Sequence, residues 1–315
     1  MFLKTLKNLA SLPVVRLIAA ILMLYLVFRQ VDLIELGHKL TLVKPASLGF
    51  AVLASVIMAW LAGWRWAMIL VPRKLTLTDH WLFFRATMLG LFYNLFMPSS
   101  VGGDILKWTA LEPLKLAKKS VILTMLIDRV LGVLGLITLG YGGLVAAHFG
   151  NLLAVPELMW QVMTAAFGVV VAFLVLISTD WKWRQLPLLN KFGWVAEMES
   201  HIERHRPQFW AAFILSLIIQ LIGVIIMFVL GKAVGFKLSL LQFLIIEPAL
   251  GVAVGLPLNF AGFGATEVGF VYFFGLLGEA STTVLALTSL MAAIRFIVGG
   301  LGWLVGLMGS SAKSN

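Results

Sequence analysis

Long apolar runs separated by short polar segments make up most of this chain. Six of the runs are uninterrupted and about as long as a helix that crosses a bilayer; they cover residues 13–28, 46–70, 119–147, 158–178, 208–230 and 281–308. Apolar residues follow one another within each run and do not alternate with polar ones, so the pattern favours helices over a β-barrel. We therefore predict an all-α polytopic membrane protein with about six full transmembrane helices, in which residues 1–315 form a single domain.

Two further apolar stretches, residues 81–114 and 239–278, are interrupted near the middle by proline and glycine. The first contains the segment NLFMPSSVGGD and the second contains LPLNFAGFGATE, so each has a proline, then glycines, then an acidic residue. Interrupted hydrophobic segments in corresponding positions of two halves point to the binding site of a transporter. We predict that both stretches are broken helical hairpins, and we favour re-entrant hairpins while full crossings stay open.

Lysine and arginine are unevenly distributed between the connecting segments. They occur in the N-terminal segment and in residues 71–80, 115–119 and 179–207, whereas residues 148–157 and 258–266 contain none. Placing the basic segments in the cytoplasm puts both termini inside and makes the two hairpins enter from opposite faces of the membrane. The apolar start of the chain is not followed by a small-residue cleavage site, so we interpret it as a retained first helix.

The overall charge and composition narrow the class of protein. Charged residues make up only 12% of the chain, the mean hydropathy is +1.01 and the formal net charge is +10. Basic residues that flank membrane spans account for this charge, so we predict contacts with anionic lipid headgroups and no nucleic-acid partner. The chain has no cysteine, which excludes disulfide bonds. Residues 179–207 are amphipathic, which is typical of a helix in the cytoplasmic interface or of a loop that packs on the bundle.

Charged residues inside the apolar runs need a physical explanation, because each costs roughly 2.5–3.5 kcal/mol at the centre of an inserted helix. Arg65 lies near a predicted helix end, and we expect its side chain to extend toward the interface. Asp128 and Arg129 are neighbours in sequence and point about 100° apart on a helix. Each of these two residues therefore needs a partner on another helix.

Two acidic residues, Asp104 and Glu267, follow the glycines of the broken stretches and lie at predicted helix starts. An acid in that position stabilises a helix by about 1 kcal/mol, and it also lies where a polar ligand would enter. Arg295 lies deep in its run and needs an anion, for which Glu267 or Glu247 is the obvious internal candidate. Two forms of chemistry stay open. The arginines hold a lipid phosphate while the acids hold a positive or hydroxylated headgroup, or the acids titrate and couple proton entry to movement.

The residues that we predict to line a translocation path combine the broken motifs with the charges in the spans. They are Arg85, Asn94, Pro98, Gly102, Gly103, Asp104, Lys107, Asp128, Arg129, Glu247, Pro257, Asn259, Gly262, Gly264, Glu267 and Arg295. Gly302 and Gly306 form a small-xxx-small pair that allows close helix packing within the chain or in a homodimer. The sequence has no nucleotide-binding loop or catalytic-serine motif, and His201 with His205 lack a third metal ligand other than Glu197. We predict no catalytic residue, no cofactor and no metal.

Three segments, NLFMPSSVGGDILKWTAL, LIDRVLGVLGL and LPLNFAGFGATEVGFVYFFGLLG, resemble the lysylphosphatidylglycerol synthase transmembrane-region family, also called the flippase-like domain family. The resemblance covers essentially the whole chain. It implies a multi-pass protein of the bacterial or archaeal inner membrane, with re-entrant segments, that moves lipids between leaflets. The motif positions that it implies are Asn94, Pro98, Gly102, Gly103, Asp104, Asp128, Arg129, Pro257, Gly262, Gly264 and Glu267, with Lys107 as the basic residue after GGD.

The residues and the resemblance together favour a lipid translocase. Such a protein moves the headgroup of a phospholipid or a polyprenyl-phosphate-linked lipid through a central polar crevice. The synthase enzymes of this family also carry a large soluble aminoacylating domain, which residues 1–315 do not resemble, so we expect that activity to be absent. An integral membrane enzyme that modifies such a lipid is the alternative, and a partner that scaffolds a cell-envelope enzyme is a third hypothesis. The partners that we expect are membrane lipids, and a homodimer stays open.

Overall fold

The structure, a computed structural model, describes residues 32–71, 73–95, 107–114, 116–150, 157–179, 202, 206–255 and 265–308. These residues are helical almost throughout, and no β-strand occurs among them. The helices are α1 (Leu33–Thr41), α2 (Pro45–Leu70), α3 (Leu77–Asn94), a 3-10 helix (Trp108–Leu114), α4 (Lys118–Phe149), α5 (Glu157–Ser178), α6 (Arg206–Ala233), α7 (Leu240–Gly255), α8 (Ala265–Gly275) and α9 (Ser281–Leu307). The predicted all-α class is therefore confirmed.

Four of these helices, α2, α4, α6 and α9, are long and apolar enough to cross a membrane. They confirm the helices predicted from the runs 46–70, 119–147, 208–230 and 281–308. Helix α5 confirms the helix predicted over residues 158–178. The predicted helix at 13–28 and almost all of the amphipathic segment 179–207 lie outside the described residues. The protein is thus a polytopic membrane protein built from helices.

A short helix, α1, occurs where the pattern of apolar runs predicts none. The side chain of Asp32 caps it by accepting hydrogen bonds from the backbone N–H groups of Ile34, at 2.8 Å, and Glu35, at 3.1 Å. An acidic cap followed three residues later by Glu is a local start signal worth about 1 kcal/mol. This signal depends on two polar residues and not on hydropathy, which is why a search for apolar runs misses the helix.

The first broken stretch, residues 81–114, has a described helical arm on either side of its proline–glycine segment. Helix α3 ends at Asn94, and the chain is described again from Lys107 onward. The aliphatic part of the Lys107 side chain lies against Gly90, so closely that a Cβ at Gly90 would collide with it. The chain therefore returns to α3. Residues 96–106 lie outside the described part, and the re-entrant depth of this stretch stays a prediction.

The second broken stretch, residues 239–278, also consists of two helices, α7 and α8, which contact each other. Aromatic rings join them: the ring centroid of Phe274 lies 5.3 Å from that of Phe243 and 5.0 Å from that of Phe236. Aromatic pairs at such distances contribute stability beyond the apolar area that they bury. Residues 256–264 lie outside the described part, so the depth of this hairpin stays a prediction as well.

The chain divides into two compact units. The segments of unit 1 are Met1–Ala59, Arg85–Ala110 and Ile222–Asn315, and those of unit 2 are Trp60–Phe84 and Leu111–Leu221. In unit 1, α8 contacts both α7 and α9, and α9 also contacts α1. In unit 2, α4 contacts α5, and the buried core includes Leu131, Val170 and Phe209. Each unit has its own set of buried apolar side chains.

Helix α3 begins with a hydrogen-bonded capping box formed by Thr76 and Asp79. The hydroxyl of Thr76 accepts a hydrogen bond from the backbone N–H of Asp79 at 3.2 Å, and the carboxylate of Asp79 accepts one from the backbone N–H of Thr76 at 2.8 Å. Both terminal nitrogens of Arg73 donate to the same carboxylate, at 2.7 and 2.9 Å. Burial alone would raise the pKa of Asp79, but the hydrogen bonds from Arg73 and Thr76 outweigh burial and lower the pKa to about 2.

The substitution Asp79→Asn is expected to lower the free energy of unfolding by about 1 kcal/mol near pH 7, because the charged cap is lost. The folded-state pKa of Asp79 lies below its ordinary value of 3.8. Its stabilisation is therefore present above that value and disappears as the pH falls through about 2. Thermal unfolding in detergent across this range measures the effect, with Thr78→Ala in the same exposed turn as control. If Asp79→Asn is less stable than the wild type by the same amount at every pH, the ionised carboxylate is not the cause of the difference.

Candidate functional site

Three glycines on one side of α9 set the distance between α9 and α3 within unit 1. The neighbouring pairs are Gly299 with Leu95, Gly302 with Met88, and Gly306 with Leu89. A Cβ on Gly302 would collide with the main-chain carbonyl oxygen of Met88, which cannot turn aside as a side chain can. The predicted pair Gly302 and Gly306 thus serves helix packing inside the chain. The order of the three pairs shows that α3 and α9 run antiparallel.

Gly302→Ala is expected to lower the free energy of unfolding by about 1–3 kcal/mol, because the added methyl group forces the two backbones apart. Gly300 is the matched control, since a Cβ there would meet nothing within 4 Å. Thermal unfolding of both variants in the same detergent gives the comparison. Equal stability of Gly302→Ala and Gly300→Ala would contradict the close approach of α3 to α9.

The antiparallel pairing brings the end of α3 to the level of Arg295. Leu95, next to Asn94, lies against Gly299 of α9. Arg295 precedes Gly299 by four residues, which is about one helical turn, or about 6 Å along the axis. The segment that follows α3 in the first broken stretch therefore begins close to Arg295.

Arg295 projects from the packed side of α9 and yet is exposed. Residues on the same helical face, Thr288, Gly299 and Gly302, are buried. Large exposed apolar residues occupy other faces of the helix; they are Phe296, Ile297, Trp303 and Leu304. Arg295 is therefore an exposed cation on the face of α9 that packs against α3.

Glu267 provides the negative charge that faces Arg295. It lies in the first turn of α8, its residue is only 2% exposed, and it interacts electrostatically with Arg295. Glu267 is one of the two acids that the sequence offers as the internal anion of Arg295; the side chain of the other, Glu247, lies outside the described residues. The position of Glu267 in a first turn also fits the capping role that acids have at helix starts.

Two more predicted residues lie at the same end of α3. Asn94 is the last residue of α3, and its side-chain oxygen is buried and accepts no hydrogen bond from a described residue. Lys107 lies against Gly90, four residues before Asn94. A buried acceptor to which no described residue donates is a position where a ligand donor can bind. We use the name unit 1 site for Asn94, Lys107, Glu267 and Arg295.

Arg85 is placed elsewhere by the structure. Its Nη2 donates a hydrogen bond to the carbonyl oxygen of Gly306 at 3.0 Å, in the last turn of α9. The C-terminal end of a helix carries partial negative charge, so a guanidinium there is stabilising. Arg85 precedes Asn94 by nine residues, or about 14 Å along α3. Arg85 therefore joins the middle of α3 to the last turn of α9, at a distance from the unit 1 site.

In unit 2, Asp128 forms an ion pair with the buried side chain of Arg65. The Nε and Nη2 atoms of Arg65 donate to the two carboxylate oxygens at 2.7 and 3.0 Å, and Nη1 donates to the hydroxyl of Ser216 at 2.9 Å. Asp128 thus has the partner on another helix that the sequence required. The expectation that Arg65 extends to the interface is wrong: its residue is only 6% exposed. The ion pair and the hydroxyl satisfy the guanidinium inside the protein, where a bidentate geometry is strong.

Two glycines of α4 lie next to this ion pair, and one of them lets α6 approach closely. Gly132 and Gly135 follow Asp128 by one and two turns of the same helical face. A Cβ on Gly132 would lie 3.7 Å from Nη1 of Arg65, and one on Gly135 would lie 3.0 Å from Cβ of Ser216. The side chain of Gln220 donates to the carbonyl oxygen of Gly132 at 2.9 Å. The segment LIDRVLGVLGL therefore combines an acid with a small residue, Gly135, that lets α6 approach it.

The family model described as lysylphosphatidylglycerol synthase TM region matches residues 13–302. The chain belongs to this family. No curated protein matches the chain. In this member of the lysylphosphatidylglycerol synthase transmembrane-region family, each unit contains an interacting acid and arginine. The two differ in accessibility, because Arg65 is buried while Arg295 is exposed.

The remaining predicted residues of this family member lie mostly outside the described part of the chain. Those outside it are Pro98, Gly102, Gly103, Asp104, Pro257, Asn259, Gly262 and Gly264. Glu247 lies within α7, but its side chain is outside the described residues, and Arg129 is half-buried on α4. Among the described side chains there is no group of three or more His, Asp or Glu residues that would hold a metal ion. His201 and His205 lie outside them.

Sequence reasoning missed the polar partners on α6. Ser216 and Gln220 contact the surroundings of Asp128, as described above. They are four residues apart, so they lie on one face of a helix whose run is otherwise almost entirely apolar. Polar residues at helical spacing in a transmembrane run indicate an interhelical hydrogen-bonded face. That signal, together with Asp128, would have identified the cluster.

Proposed function

We propose that the protein is a lipid translocase of the bacterial or archaeal cytoplasmic membrane, with both termini in the cytoplasm. Its substrate is a phospholipid or a polyprenyl-phosphate-linked lipid, whose anionic headgroup passes the unit 1 site while the tails remain in the membrane. The observation that carries this proposal is the accessible guanidinium of Arg295 on the packed side of α9, beside the buried Glu267. Membership of the family supports a role in lipid metabolism or transport.

The charge pair makes passage of a phosphate physically feasible. An isolated charge at the centre of a membrane helix costs roughly 2.5–3.5 kcal/mol, so Arg295 requires a counter-charge when no lipid is present. Glu267 supplies it. A phosphate that enters the site replaces Glu267 as the partner of Arg295. Glu267 pairs with Arg295 again when the phosphate leaves. The guanidinium thus keeps an anionic partner through the whole passage.

The polar neighbours of this pair have complementary roles. The side-chain oxygen of Asn94, to which no described residue donates, receives a hydrogen bond from a hydroxyl or ammonium group of the headgroup. Lys107 adds a second positive charge near the end of α3. The site therefore recognises a phosphate that carries a hydrogen-bond donor. We propose that the lipid's concentration difference, the membrane potential or an ion gradient drives its movement.

In this proposal the protein moves the lipid without changing it chemically. That distinguishes a translocase from an enzyme that modifies lipids. The test is reconstitution of the full chain in liposomes that contain fluorescent phosphatidylglycerol, followed by reduction of the outer-leaflet dye with dithionite. The expected result is dye loss beyond half of the total only when the protein is present. Mass spectrometry of the recovered lipid should show no new species. A new lipid product without faster exchange between leaflets would establish the enzyme instead.

A further inference from the structure

An aromatic groove lies on unit 2, between the second half of α2 and the first turns of α3. Its volume is about 440 Å³, and its lining residues are Trp60, Trp64, Leu77, His80, Trp81 and Phe84. The rings contact one another: the centroid of Trp64 lies 5.8 Å from that of Trp60 and 5.6 Å from that of His80. Trp60 and Trp81 are 43% and 46% exposed. The groove is therefore a preformed and open apolar surface. We call it the tryptophan groove.

The tryptophan groove runs from a helix end into the depth of a membrane leaflet. Leu77 is the first residue of α3, and Phe84 lies about 10 Å further along the axis. On α2, Trp60 lies ten residues before the end at Leu70, which is about 15 Å. Half of the hydrocarbon thickness of a bilayer is also about 15 Å. One acyl chain of a single leaflet matches this length and these apolar walls.

The end of the groove at the connection between α2 and α3 is positively charged. The segment 71–76 between the two helices contains Arg73 and Lys74, and both are exposed. Asp79 is the one acid in residues 60–84, and its buried carboxylate is bound by Arg73. Lys74 makes no ion pair with any residue that the structure describes. A positive charge is thus left over where a lipid headgroup would lie.

We propose that the tryptophan groove binds one anionic glycerophospholipid. One acyl chain lies along Trp60, Trp64 and Trp81, and the phosphate contacts the ammonium group of Lys74. Tryptophan favours the boundary between hydrocarbon and headgroups, and a basic residue near the membrane surface attracts anionic lipid. The site is distinct in its residues from the unit 1 site, so it holds a bound lipid whether or not the protein transports one.

Native mass spectrometry of the full chain tests this site. The protein is purified in detergent and mixed with either phosphatidylglycerol or phosphatidylcholine. We expect one phosphatidylglycerol to remain bound under activation that removes all phosphatidylcholine. Trp81→Leu should weaken its retention about tenfold, because an aromatic wall is lost. Lys74→Gln should weaken it about fivefold, because one basic residue near a membrane surface is lost.

Two matched controls keep the test specific. Trp303→Leu removes a tryptophan that is 49% exposed on α9, and Lys44→Gln removes an exposed lysine just before α2. Both should retain phosphatidylglycerol as the wild type does. Equal loss in the groove and control variants, or equal retention of both lipids, would overturn the proposal. A change from dimer to monomer in Trp81→Leu, without a change in bound lipid, would show that a second copy covers the groove and would also overturn it.

Discussion

Arg295→Gln is expected to reduce the rate of lipid exchange between leaflets by about 10- to 100-fold. The variant loses the charge-assisted hydrogen bond to the phosphate, and such bonds contribute about 1.5–3 kcal/mol. The measurement is dithionite accessibility of fluorescent phosphatidylglycerol in proteoliposomes, with the amount of folded protein in each preparation held equal. Phe296→Leu, one residue further along α9 on an outward-facing side, is the matched control and should keep the wild-type rate.

Loss of Arg295 also leaves Glu267 buried without its counter-charge, which by itself destabilises the fold. The double variant Arg295→Gln with Glu267→Gln removes both charges and should recover stability without recovering exchange. Glu267→Gln alone leaves the phosphate as the strongest partner of Arg295, so it should slow lipid release and reduce exchange as well. Normal exchange by the double variant would show that lipid does not use this pair.

Asp128→Asn is expected to lower the free energy of unfolding by about 3–5 kcal/mol, because it leaves the guanidinium of Arg65 buried without a charged partner. This is a large part of the total stability of a protein, which is about 5–15 kcal/mol. Unfolding in detergent measures the loss. Ser216→Ala removes one hydrogen bond to the same guanidinium and should cost less, about 1.5 kcal/mol.

A combined substitution separates a structural role of Asp128 from a role in transport. Arg65→Met with Asp128→Leu replaces the ion pair by apolar side chains, and such replacements often restore or increase stability. We expect this double variant to be folded and to exchange lipid. A stable Asp128→Asn variant that exchanges no lipid would instead place Asp128 on the translocation path, as the sequence alone predicts.

The positions of the long helices along the chain can be predicted from the sequence, because hydropathy alone determines them. The runs that predict α2, α4, α5, α6 and α9 need no knowledge of neighbouring segments, and each helix is described within a few residues of its predicted bounds. Likewise, a charge as deep as Arg295 must have an anion nearby, and the acids in the spans are few. The sequence therefore narrows the partner of Arg295 to Glu267 or Glu247. Glu267 interacts with it, and the side chain of Glu247 lies outside the described residues.

The side-chain partners that depend on which helix faces meet could not be predicted in this way. Arg65 lies five residues before the end of α2, so its distance along the helix allows it to reach the interface. Only the presence of Asp128 and Ser216 across from it explains why it stays inside. Arg85 is a similar case, since its acceptor, the carbonyl oxygen of Gly306, is a main-chain atom that every residue has.

In the proposed function, a lipid headgroup enters the space beside Arg295, at the end of α3. The most direct measurement replaces Asn94 with the photoreactive amino acid p-benzoylphenylalanine in the full chain, reconstituted with phosphatidylglycerol, and identifies the attached lipid atom by mass spectrometry. We expect attachment through the glycerol or headgroup, and much weaker attachment in an Arg295→Gln background. Attachment through acyl carbons only, or attachment that Arg295→Gln leaves unchanged, would contradict it.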